Sequence, residues 1–418
     1  MPTPHEILIT GLGVVTPIGL NVSQFASALS ASQVGIKVRP EFAGSGQPYA
    51  LGATIDDFDG KQFIKPRKAI KVMCRPIQFG FAVGWMAAEQ AGLFQHPIVP
   101  DRLGVVFGAE TFYADPVEMA AAFSSCTSNR RFEPDHWGTR GFEQIPPLWM
   151  LQYLANMIAS HVSIALDARG PSNTICQGDI SSALAIIESA EIIRRGWADA
   201  IIAGGASSQT MTTAMVYRGA QRLSRRLDAP TQACRPFDAH RDGMVLGEGG
   251  GAMVLEHANS VESRQITPLG RLAGWANGFA FGSKKERIAR IVEICELALQ
   301  RAGISAKDLG HVNATGYSTV DDDSLEAQAI RRLAGDTPVI ALKANLGNLG
   351  PGADVVEMIG SLMAIQSNEL PVAPNYITPD PDCPVVVNRC RTAMTSPHAL
   401  KLTVCHTGQI AALVISAP

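Results

Sequence analysis

The chain has no paired cysteines. Its eight thiols, at positions 74, 126, 176, 234, 295, 383, 390 and 405 of 418 residues, never fall in a Cys-x-x-Cys spacing or beside histidines in a metal-ligand pattern. That scatter argues against a disulfide scaffold or a structural metal site and implies reduced thiols, with no cofactor expected. No apolar run approaches the roughly 20 residues that cross a bilayer, so no membrane segment is expected. Residues 1–6 are polar and carry no basic stretch ahead of a short apolar run, which is not the pattern of a secretory signal. Charge is also sparse. Only 17% of residues are charged and the net is −3, which gives no basic field for nucleic acid. What remains is 46% hydrophobic and suits a compact, large-cored protein, expected in the cytoplasm.

Ile7-Leu8-Ile9-Thr10-Gly11-Leu12-Gly13-Val14-Val15 reads as a buried strand that carries a glycine pair. A dinucleotide loop is excluded because Thr16 stands where the third glycine belongs and Pro17 breaks the helix that should follow. Helical spacing predicts helices over 23–30, 67–92, 151–167, 288–302 and 325–333. Strands are predicted near Asn173, over 200–205, and as a closing hairpin near Leu400 and Ala411. Residues 111–147 are rich in aromatic, Pro and Gly residues and read as a long surface excursion. Alternating strands and helices imply sheets covered by helices, an α/β fold. No Pro-, Gly- or Ser-rich linker separates independent domains.

Three blocks carry the chemistry. The first is Gly170-Pro171-Ser172-Asn173-Thr174-Ile175-Cys176-Gln177-Gly178-Asp179-Ile180-Ser181-Ser182, followed by a helical run to Arg195-Gly196-Trp197-Ala198-Asp199 and Ala203-Gly204-Gly205. The second is Asn313-Ala314-Thr315-Gly316-Tyr317-Ser318-Thr319, with Asp323 and Glu326 after it. The third is Lys343-Ala344-Asn345-Leu346-Gly347-Asn348, continued by Gly350, Gly352 and Glu357. With Cys234-Arg235-Pro236-Phe237-Asp238 and Gly247-Glu248-Gly249-Gly250, these blocks resemble the β-ketoacyl synthases of the thiolase superfamily (3-oxoacyl-[acyl-carrier-protein] synthase II-like). The resemblance runs from about Ile7 to Val414.

It implies the five-layer αβαβα thiolase-like fold, built from two pseudo-repeated halves over 1–257 and 258–418. It also implies a nucleophilic cysteine at position 179 and histidines at 315 and 348. Asp179, Thr315 and Asn348 stand there instead. The resemblance further implies a Gly-Phe-Gly-Gly-x-Asn loop near the C-terminus, which here reads Cys405-His406-Thr407-Gly408-Gln409-Ile410.

A cysteine thiolate is strongly nucleophilic and forms a durable thioester, whereas an aspartate acyl anhydride hydrolyses quickly. Asp179 is therefore read as a cap on the helix that follows it. Lys343 and Glu326 are read as a structural ion pair, and Asp323 to Glu326 as a capping box after a solvated acidic helix start. Cys176 and His406 are the possible pocket residues, Cys176 more often a buried packing residue on its strand and His406 a loop residue able to reach the pocket. Condensation is not expected without the nucleophile.

The reading is a catalytically degenerate subunit, like a chain-length factor, for fatty acid or polyketide biosynthesis. It would form a homodimer or a heterodimer with an active ketosynthase, in contact with an acyl carrier protein. The alternatives are Asp179-dependent hydrolysis or acyl transfer on an acyl thioester, and a homodimeric binder of an acyl or aromatic ligand.

Overall fold

The computed structural model describes residues 6–65, 67–112, 114–211, 213 and 219–418; five of the polar residues 1–6 and Tyr113 of the excursion lie outside them. Eleven strands form the main sheet: β1 (Ile7–Val15), β2 (Leu103–Gly108), β3 (Ser172–Ile175), β4 (Ala200–Ser208), β5 (Glu248–His257), β6 (Gly270–Phe279), β7 (His311–Asn313), β8 (Pro338–Ile340), β9 (Val386–Val387), β10 (His398–Val404) and β11 (Gln409–Ser416). Their order is β9-β8-β7-β10-β11-β6-β1-β5-β4-β2-β3.

That order contains a repeat. From β1 outward through β5, β4, β2 and β3, the pairings run antiparallel, antiparallel, parallel, parallel. From β6 outward through β11, β10, β7 and β8 they run the same way. The two half-sheets join where Ile7, Leu8 and Ile9 face Leu272, Arg271 and Gly270.

Helices α1 (Val22–Ser30), α2 (Arg75–Gln90), α3 (Met157–Leu166), α4 (Ser181–Arg194), α5 (Lys284–Ala302), α6 (Val320–Ala334) and α7 (Ala353–Ser367) supply the other layers. The largest core lies between the half-sheets, where Ile186 and Ala190 of α4 and Val356 and Ile359 of α7 meet Ile201, Met253, Leu413 and Ile415. On one outer face α2 and α3 bury Ile77, Val83, Ala87, Ile158 and Val162 against Val105, Ile202 and Val254. On the other, α5 and α6 bury Ile291, Ala298 and Ile330 against Val312, Leu400 and Ala412. Helix, sheet, helix, sheet, helix is the five-layer arrangement.

Local chemistry explains the departures from the expected elements. The helix expected over 67–92 breaks into a 3-10 turn, Arg67–Val72, and α2, because Pro76 suits the first turn of a helix but not its interior. The helix expected over 151–167 likewise becomes a 3-10 turn, Trp149–Tyr153, followed by α3. Helix α6 starts five residues before the expected Leu325, at Val320 after Thr319. The Gly11/Gly13 pair serves packing: a Cβ on Gly13 would lie 1.9 Å from the Val83 carbonyl oxygen, so α2 can approach β1 only over glycine.

Candidate functional site

Strand β3 ends at Ile175, and the chain turns through Cys176, Gln177 and Gly178 into α4. Gly178 takes φ +72, a left-handed conformation that favours glycine, and this turn swings Asp179 inward. The Ser181 hydroxyl closes the turn, donating to the Gly178 carbonyl at 2.6 Å and accepting from the Gln177 N–H at 2.9 Å. The expected cap does not form. Ile180 holds the N-cap position of α4, with no side-chain cap.

The Asp179 carboxylate is instead drawn across the molecule. Its side chain belongs to a residue only 7% exposed, and Oδ2 accepts hydrogen bonds from the Tyr317 hydroxyl and the Asn348 amide, each at 3.0 Å. Asn348 is held rigidly for this. Its N–H donates to Val245, its carbonyl accepts from Gly247, and its Oδ1 accepts from the Gly350 N–H at 3.1 Å. Tyr317 is fully buried among Leu223, Met244 and Leu246, with the Lys343 ammonium 5.3 Å from its ring centroid. Burial, then the neighbouring Asp179 and Cys405, push its phenol well above the usual tyrosine range.

Thr315 takes no part in this cluster. Its hydroxyl accepts from the Val404 N–H at 2.8 Å and faces the Leu402 carbonyl at 3.3 Å, so it is bonded to the backbone of β10. The Thr315 and Gly316 N–H groups both donate to Glu326, at 2.7 and 2.9 Å.

The expected Lys343–Glu326 pair and the Asp323–Glu326 capping box are therefore both absent. Glu326 is a clamp on the 315–316 turn, and Asp323, 1% exposed, accepts from the Ser318 and Phe237 N–H groups. Burial raises the Asp323 carboxyl to about 7 even with those N–H groups and Arg241 near it, so only the outer part of the acidic triplet is solvated. Lys343 pairs with Glu357 at 2.6 Å.

A second buried lysine that sequence reasoning did not single out completes the charge balance. Lys401 Nζ lies 2.6 Å from Glu357 Oε2, 3.5 Å from Asp354 and 3.0 Å from the Leu402 carbonyl. The contact with Glu357 is one of charge, because Oε2 accepts no properly directed hydrogen bond. Lys401 follows an apolar residue in a strand and looks solvent-facing in sequence. Only its partners on α7, more than 40 positions away, explain its burial.

Above Asp179 lies a cavity of about 360 Å³, lined by Gln177, Asp179, Arg222, Met244, Cys405 and His406 among others. His406 is exposed at its rim. Cys405 lines the floor, its thiol raised by burial and then by Asp179 and Asp354, which keeps it protonated. Cys176 is exposed and not packed in the core as expected, because β3 is the last strand of its half-sheet. Burial, with Glu110 nearby, raises its thiol too. Neither thiol is activated. Among the described residues no group of His, Cys, Asp and Glu could hold a metal ion. The Tyr317 hydroxyl and the Asn348 amide, both beside the cavity, donate to the Asp179 carboxylate.

The N-terminal domain model of the beta-ketoacyl synthases matches residues 5–260, and the C-terminal domain model matches 273–376. The chain belongs to the beta-ketoacyl synthase family. A 3-oxoacyl-[acyl-carrier-protein] synthase 2 of Coxiella burnetii is 30% identical over 387 residues, 91% of this chain and 90% of its own. The ketoacyl synthase alpha subunit of the tetracenomycin polyketide synthase of Streptomyces glaucescens is 27% identical, covering 90% of this chain and 89% of its own. Among solved structures, a beta-ketoacyl synthase from Burkholderia phymatum superposes with a TM-score of 0.88 at 24% identity, covering 99% of this chain and 100% of that one. The ishigamide ketosynthase/chain length factor superposes at 0.84 and 22% identity, with both chains fully covered. At those identities the structures establish the shared fold, which is the thiolase-like architecture of the family. No helix among the described residues is long and apolar enough to cross a membrane.

Proposed function

We propose that this chain is a non-catalytic ketosynthase-like subunit that pairs with an active β-ketoacyl synthase and shapes its acyl pocket. The observation that carries this is the closed polar latch. Asp179 occupies the nucleophile position and accepts from Tyr317 and Asn348, while Thr315 is bonded into β10. A thioester carbonyl arriving there meets a carboxylate in place of a thiolate, with the Tyr317 hydroxyl and the Asn348 amide already donating to that carboxylate.

Pairing is supported by the molecule's edge. Strand β3 is hydrogen-bonded on one side only, and its Ser172 and Asn173 are exposed. A bare strand edge is a template for another chain. The excursion and the residues just after it expose Val117 (78%), Phe142 and Leu148 (66% each) and Met150, apolar side chains that a partner could cover. An acyl carrier protein, named in the Coxiella relative's own description, is the natural third component.

The test is co-expression of this chain, untagged, with tagged intact β-ketoacyl synthases. A one-to-one complex is the expected result. A chain that stays with its own copies beside every such partner overturns the proposal. A second reading, Asp179-dependent hydrolysis or acyl transfer, has one observation in its favour: the 360 Å³ cavity reaches the carboxylate. It requires acyl-thioester turnover that Asp179→Ala abolishes.

A further inference from the structure

A second pocket lies at the far end of the same central helix. Asp179 precedes the first turn of α4, whereas Glu191 and Arg194 are in its last turn, and 14 residues at about 1.5 Å each put roughly 20 Å between them. There Arg194, Arg271 and Arg301 surround a cavity of about 470 Å³ that Trp275, Glu6 and Glu191 also line.

The arginines are positioned and not saturated. Arg194 is held by Glu191 at 2.5 Å, Arg271 by Glu6 at 3.0 Å, and Arg301 by the Trp275 carbonyl at 2.6 Å. A guanidinium carries five N–H donors. Among the described residues, Arg271 and Arg301 each use one. The Trp275 indole N–H donates to Glu191 at 2.9 Å, which fixes its ring.

Part of this has an ordinary explanation, since an arginine at a helix C-terminus complements the helix dipole, and Arg194 and Arg301 both end helices. Arg271 and Trp275 do not fall under it. They stand on β6, whose register against β11 shifts between Leu272 and Gly274. Such a bulge re-aims side chains and recurs beside functional sites. Arg271 and Trp275 on either side of it are both half-buried and both line the cavity.

Among the described residues, three guanidiniums against two carboxylates leave the pocket lining net positive. Arginine forks match phosphate oxygens, and an indole offers a face to a planar ring. We propose that this pocket binds a nucleotide, the phosphates on Arg271 and Arg301 and the base against Trp275. It is separate from the Asp179 cavity and does not depend on the role proposed for that cavity.

The experiment is calorimetric and tryptophan-fluorescence titration of the full chain with ADP, adenosine and inorganic pyrophosphate. ADP is expected to saturate at one per chain, and adenosine and pyrophosphate to bind at least roughly tenfold more weakly. The double variant Arg271→Gln/Arg301→Gln, shown folded by its near-UV dichroism, is expected to lose roughly tenfold or more in ADP affinity. Trp275→Phe should remove the fluorescence change, and Asp179→Ala should change nothing. Absence of saturation up to about 1 mM ADP overturns the proposal. So does equal ADP affinity in the folded double-arginine variant, or pyrophosphate binding as tightly as ADP.

Discussion

Replacing Lys401 with methionine removes one of two buried ammonium groups and leaves Asp354 and Glu357, both 1% exposed, facing Lys343 alone. Removing one partner from a buried ion pair typically costs about 3–5 kcal/mol, because the remaining charge loses its compensation without regaining water. Methionine keeps the length of the stem, so packing loss adds little. With an unfolding entropy of about 2.1 cal/mol/K per residue, such a loss in a chain of 418 residues lowers Tm by roughly 3–6 °C. Differential scanning calorimetry at pH 7 is the direct assay. The decisive arm is the pair Lys401→Met/Asp354→Asn, which restores one lysine to one carboxylate and is expected to recover at least about half of the loss. A single variant within about 1 °C of the parent, or a double variant that simply adds its two single losses, would refute the charge-balance reasoning.

The Asp179 latch predicts that Tyr317→Phe costs about 1–3 kcal/mol, since it withdraws a donor from a buried acceptor, and that Tyr317→Phe and Asn348→Ala are non-additive in a double-mutant cycle. Strict additivity would mean the two donors do not share Asp179. Asp179→Cys alone is expected to restore no condensation, so release of CO2 from a malonyl thioester should stay at background; measurable turnover would show that the latch does not block the site. Burial lowers the His311 imidazole to about 3, where it bonds to Ser361. Between pH 6.5 and about 3 the unfolded chain therefore binds the extra proton, and stability attributable to this residue is lost as pH falls through that window. His311→Gln is expected to flatten the acid limb of Tm against pH relative to the parent, and parallel curves would contradict it. Phe142→Asp/Leu148→Asp should fold normally and lose a partner synthase in co-purification; retention would place the interface elsewhere.

The resemblance carried by the sequence blocks implied the two-halved fold and positions 179, 315 and 348, and the apolar run after Asp179 showed the central helix, because each block sits on a regular element. What they did not give is the pairing between blocks. Glu326 and Glu357 both follow their motifs at suitable distances for Lys343. Which one pairs is decided by the 315–316 turn, whose two N–H groups take Glu326 and leave Glu357 to the lysine. Tyr317 lies within the second block, but a hydroxyl that reaches Asp179 across 138 positions leaves no local signal in the sequence. Cys176 looked like a core residue because strand periodicity does not reveal that β3 is an edge.

The bond from the Thr315 hydroxyl to the β10 backbone bears on how this chain can change over generations. A histidine placed at that position would have to give up the hydrogen bond that the Thr315 hydroxyl accepts from the Val404 N–H. A cysteine placed first at 179 would take away the carboxylate to which Tyr317 and Asn348 donate. In the role proposed above, each such single replacement first breaks hydrogen bonds that now hold the site together.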